Sequence, residues 1–118
     1  MRFTLERDNW YAMEIISPEF GVDVRAYSPV KVYGVSPYGG GKRRFELEFF
    51  HANYPAGVQQ KTYVVETIGR KKNYLLGRVI DSERIILIFA LTEEWLDKHF
   101  SIPPESDESI SARMERYG

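Results

Sequence analysis

Polar and apolar residues alternate through much of this chain, and the alternation predicts strands. Arg44, Glu46 and Glu48 interleave with Phe45, Leu47 and Phe49, the pattern of a strand with one face buried and one solvated. Residues 61–68 read as another strand, with Tyr63 and Val65 opposite in direction to Val64 and Ile68. Gly69-Arg70-Lys71-Lys72-Asn73 turns the chain, 74–80 returns, and Asp81-Ser82 turns it again. Residues 85–91 are apolar without a break. Successive side chains of a strand point to opposite sides, so a run without alternation needs cover on both faces. Three short connections in a row imply antiparallel neighbours, and residues 43–91 are expected to form a four-stranded meander containing that central strand.

The central strand leads straight into a helix. Thr92 is a good N-cap, and Glu93 and Glu94 place negative charge where the helix dipole favours it. Trp95, Leu96 and Phe100 form the face expected to pack on the sheet, and Pro103-Pro104 prevents the helix from continuing.

Upstream the pattern is more broken. Phe3 and Leu5 alternate with Thr4 and Glu6, Arg7-Asp8-Asn9 offers a turn, and 10–16 is extended, which predicts a hairpin. Ser17-Pro18 is expected to stop it. Val22, Val24 and Ala26, then Val30 and Val32, predict two short strands separated by a break at Ser28-Pro29. Residues 36–42, with three consecutive glycines, are the most flexible by composition, and 51–60 is a long connection centred on Asn53-Tyr54-Pro55-Ala56-Gly57. The fold class is therefore α+β and β-rich: an antiparallel meander, curled into a sandwich or half-open barrel by the N-terminal strands, with one helix after the last long strand. Residues 1–104 make the domain. Residues 105–118 are an acidic tail in which Ile110, Met114 and Tyr117 are spaced for a short docked helix.

Composition narrows the function classes. Apolar residues at 43% and charged residues at 28% are ordinary for a globular chain, and the eight Tyr and seven Phe favour sheet over helix bundle. No cysteine is present, which excludes disulfides, thiol chemistry and the commonest structural zinc ligands. The N-terminus is charged where a signal peptide needs an apolar stretch, and no apolar run approaches the ~20 residues that span a bilayer. A soluble, cytoplasmic protein without membrane partners is expected. The net charge of −1 is unevenly spread: residues 42–84 are basic by four charges and residues 85–118 acidic by four.

Two basic clusters, Lys42-Arg43-Arg44 and Arg70-Lys71-Lys72, each lie beside aromatics, Tyr38 and Phe45 in one case and Tyr74 in the other. Cations next to stacking rings on a sheet are a common way to hold single-stranded nucleic acid. If strand 43–50 pairs antiparallel with strand 61–68, the clusters share one end of the sheet. The glycine run carries no phosphate motif: Gly41-Lys42 is followed by Arg43, with Ser36 where a P-loop needs glycine. His51, Asn53 and Tyr54 are the only local group resembling an acid–base site, and Tyr54-Pro55 predicts an ordered loop with Tyr54 partly buried. No catalytic set, metal shell or cofactor motif assembles from the remainder. The leading expectation is a non-enzymatic binding module that recognises a protein partner or itself, a homodimer included. The second is nucleic-acid or polyanion binding through 42–44 and 70–72 with Tyr38. The third is a small enzyme built around His51.

Overall fold

Side-chain alternation on six successive strands is satisfied by one closed surface. The computed structural model describes residues 2–50, 58–80 and 82–99. Within them β1 (Trp10–Glu19), β2 (Val22–Gly39), β3 (Lys42–Phe50), β4 (Val58–Arg70), β5 (Tyr74–Val79) and β6 (Ile85–Ala90) pair in chain order, all antiparallel. β6 then pairs with β1, from Tyr11↔Ala90 to Ile16↔Ile85, and closes the sheet into a barrel. The expected meander with a helix after its last strand is present. The sandwich and the half-open barrel are both corrected: residues 10–16 do not cover the meander from outside but complete its circumference. Closure removes both edges of the sheet, which is why the circle is favoured over an open curl.

The inward face of every strand feeds one core. Met13, Val30, Val32, Phe45, Leu47, Val65, Ile86 and Ile88 are all but inaccessible to solvent, joined by Tyr11, Phe49, Leu75 and Val79. Gly77 is the small residue this filling demands. A Cβ there would lie 2.2 Å from Cγ1 of Val65, closer than any real contact.

The unalternating run on β6 is explained by two cores. Ile86 and Ile88 point into the barrel, whereas Phe89 faces outward beneath α1 (Glu93–His99). Trp95 and Leu96 of α1 cover Ala12 of β1 together with Trp10, Tyr27, Phe89 and Leu91. Thr92 caps the helix as its sequence predicts, its Oγ1 accepting from the Trp95 amide at 3.1 Å. His99 stacks on Tyr27 with ring centroids 4.2 Å apart.

Pro18 and Pro29, expected to interrupt strands, lie inside them instead, and so does Pro37 of the stretch expected to be most flexible. Pro18 and Pro29 pair with Asp23 and Ala12 across the β1–β2 ladder, and Pro37 pairs with Arg43 across β2–β3. β2 is thus one 18-residue strand, and the three-glycine stretch contributes only the turn after Gly39. The reason is where each proline sits. Pro18 lies beyond the last β1–β6 pair at Ile16, Pro29 precedes the first β2–β3 pair at Val30, and Pro37 lies beyond the last β1–β2 pair at Lys31. Each has a neighbouring strand on one side only in these ladders, the situation in which a strand can accommodate a missing N–H by turning it to the unpaired side.

The N-terminal residues also depart from expectation. The turn at Arg7-Asp8 exists, with Asp8 at φ 66°, but Phe3 and Leu5 belong to no strand. Residues 3–8 instead form a strap across one end of the barrel. Phe3 donates its amide to the Lys71 carbonyl at 2.8 Å, and Asp8 donates to the Val32 carbonyl at 2.6 Å. Between these anchors Phe3 and Leu5 pack on the barrel core, and the Glu6 amide bonds to the Tyr11 hydroxyl at 2.7 Å. The alternation that predicts a strand is the alternation of a strap with one side against the core.

The expected acidic tail, 105–118, the last helix-face residue, Phe100, and the loop containing His51, Asn53 and Tyr54 lie outside the described residues.

Candidate functional site

β2 and β3 run past the end of β1, so their hairpin stands as a wall beside the strapped end of the barrel. Along β3 the inward positions are Arg43, Phe45, Leu47 and Phe49, and the first of these is a cation. Along β4 the inward residues Val65 and Thr67 precede a bulge between Thr67 and Gly69, after which Arg70 pairs with Leu75. A bulge re-aims the residues after it. Arg43 and Arg70 thereby line the same pocket, a recess of about 300 Å³ whose other walls are Thr4 and Leu5 of the strap, Val35, Phe45, Thr67 and Leu75.

Two guanidinium groups, two hydroxyls and an apolar floor line that recess, with no carboxylate among the described residues that line it. Arginine presents several N–H donors in a fixed plane that suits phosphate and carboxylate oxygens. Arg70 is held in place: its Nε donates to the Phe3 carbonyl at 2.7 Å, which fixes the stem while the guanidinium retains other donors. The strap is therefore part of the site and orients one of its two arginines.

A second recess of about 240 Å³ lies beside the first, lined by Pro37, Gly39, Gly41, Lys42 and Arg43. Arg43 belongs to both, so cationic lining continues from the barrel mouth on to the β2–β3 hairpin. Arg44 faces the other way, its guanidinium carbon 5.4 Å from the centre of the Tyr38 ring, and Tyr38 is half exposed. Lys71 and Lys72 occupy the exposed β4–β5 turn at the same end of the barrel, and the Lys71 backbone anchors the strap. Register accounts for this clustering. Lys42 pairs with Glu66 and Arg43 with Val65, so the start of β3 and the last residues of β4 lie toward the same end of the barrel, with β4 running four residues further to Arg70.

Of the residues singled out in the sequence, Arg43 and Arg70 share a pocket, Lys42 shares the adjoining recess, and Arg44, Tyr38, Lys71 and Lys72 surround them. Sequence reasoning misses Thr4, Leu5, Val35, Thr67 and Leu75 as lining residues. Arg43 carries a signal, because it sits two residues before Phe45 on the apolar phase of the strand. Thr4 and Leu5 carry none, since their place depends on backbone bonds to residues far along the chain.

A larger recess of about 500 Å³, lined by Tyr33, Glu46, Leu47, Gln60, Lys61 and Thr62, carries charges of both signs. Among the described residues no group of three or more His, Asp or Glu could hold a metal ion, and no helix is long and apolar enough to cross a membrane. No known family model matches this chain, and neither the curated proteins nor the solved structures contain a significant match.

Proposed function

We propose that this protein is a non-catalytic binding module that takes an extended polyanion, such as single-stranded nucleic acid, at the basic mouth of its barrel. The observation that supports this reading most directly is the convergence of Arg43 and Arg70 on one recess without a lining carboxylate. One anionic group sits between the two guanidinium groups, with the apolar floor formed by Phe45, Leu5 and Leu75 beneath it. The chain of the ligand continues over Lys42 and the β2–β3 hairpin, where Tyr38 offers a ring for stacking. The mouths of β-barrels are common ligand sites, because closure leaves the barrel ends as the natural concavities.

The experiment is anisotropy of a fluorescent oligothymidylate, with heparin as a competitor, over a range of salt concentrations. Binding should weaken as salt rises, with a log–log slope near −0.7 for each phosphate neutralised on a single strand. Arg43→Glu combined with Lys42→Glu should reduce affinity at least tenfold and leave the melting temperature within a few degrees, because Arg43 is exposed and Lys42 only half-buried. Arg70→Glu is a different test. It also severs the bond to the Phe3 carbonyl, so lower stability is expected with the loss of binding. Absence of salt-sensitive binding to both probes in the unmodified protein would retire the proposal.

A further inference from the structure

β1 and β2 outrun the barrel at the end opposite the strap. Beyond the last β1–β6 pair at Ile16↔Ile85, the ladder continues to Glu19↔Val22 as a two-stranded arm. From Val22 to Ala26, β2 pairs with β1 alone among the described strands, since its pairing with β3 begins at Val30. The arm ends in a turn at Phe20 and Gly21, with φ of 52° and 79°. Both signs belong to a type I′ turn, whose usual occupants are Asn and Gly. A phenylalanine is costly there, and its ring is as exposed as in an isolated chain. Val22 and Val24 on the arm are exposed as well.

In a two-residue hairpin the flanking pair, here Glu19 and Val22, exchanges backbone hydrogen bonds. Val22 and Val24 therefore turn their backbone groups toward β1, and Asp23 and Arg25 turn theirs toward the open edge. We infer that this edge pairs with the same edge of a second copy, antiparallel and centred on Val24. That register sets Asp23 of each copy opposite Arg25 of the other, so the outward backbone groups meet and opposite charges face each other twice. On the other face Val22, Val24 and Ala26 of one copy meet Ala26, Val24 and Val22 of the second. A register centred on Arg25 would instead set two arginines face to face, which disfavours it. The two-fold pairing is isologous and closes on itself, as a dimer does and a fibre does not. It also carries Phe20 from the tip of one arm toward the body of the second copy. This arm is separate from the basic mouth, and the inference stands whether or not that site binds an anion.

Sedimentation equilibrium of the full chain over a wide concentration range tests the pairing. A dimer that strengthens at high protein and weakens at high salt is expected, because the interface is small and its charge pairs are exposed. Asp23→Arg should be monomeric throughout with an unchanged melting temperature, since it places Arg against Arg. Asp23→Pro, which removes one outward N–H and leaves the β1 ladder intact, should also be monomeric. Mixing Asp23→Arg with Arg25→Asp should restore a one-to-one heterodimer, because each charge again faces its opposite. Arg25→Asp also strips Glu14 of its 3.0 Å partner, so if that variant does not fold the two Asp23 variants decide. A native chain that stays monomeric, or a dimer unmoved by Asp23→Arg, overturns the inference.

Discussion

The two ends of β2 lie in opposite environments. Val30 and Val32 are fully buried, whereas Val22 and Val24, on the same strand and the same face, are 65% and 45% exposed. Residue type and phase are identical, so neither accounts for the contrast. Partners do: at Val30 the strand pairs with β1 on one side and β3 on the other over a closed barrel, and near Val24 it has β1 alone among the described strands. A β-branched residue on the inward phase is core only where the circle is complete.

Ile88→Ala tests the closed half most severely. Its side chain is fully enclosed between β1 and β5, and the truncation should cost about 2–5 kcal/mol in chemical denaturation. Gly77→Ala should cost about 1–3 kcal/mol by overpacking, because the added methyl must displace Val65. A neutral result would mean that the filled barrel wall yields at this point. Val32→Ala and Val24→Ala make the comparison directly. The first should cost about 2 kcal/mol for buried methyl groups and the cavity left, the second no more than about 0.5 kcal/mol. Equal costs would erase the distinction between the two halves. Native-state hydrogen exchange offers the finest resolution: amides of 86–89 should open only with global unfolding, and those of Asp23 and Arg25 should exchange fastest within β2 at low protein concentration.

Much of the barrel body is legible in the sequence. The alternation of Phe45, Leu47 and Phe49, the short turn around 71–73, and the cap at Thr92 are local signals, and local signals fix strands and helix ends. Closure is not legible, because pairing of Tyr11–Ile16 with Ile85–Ala90 joins the two ends of the barrel sequence and leaves no mark on either. Pro18 and Pro29 mislead for a related reason. A proline forbids one hydrogen bond, and whether that bond is needed depends on which side of the strand has a neighbour. The candidate site divides in the same way. Both basic clusters stand out in the sequence, and antiparallel pairing of β3 with β4 places them at one end of the barrel. The bulge that turns Arg70 inward and the strap that holds it are tertiary facts.

The seam between β1 and β6 also sets the order of events when the chain folds. Each of the other ladders joins strands adjacent in sequence and can form as a hairpin extends, whereas the seam must wait until nearly the whole barrel sequence has been laid down. The entropy of closing so long a loop is recovered only when the last ladder forms, which places this protein among the slow folders of its size. Until that moment the apolar strand Ile85–Ala90 is an open edge, and the yield of native protein depends on the seam closing before two such edges from different chains meet.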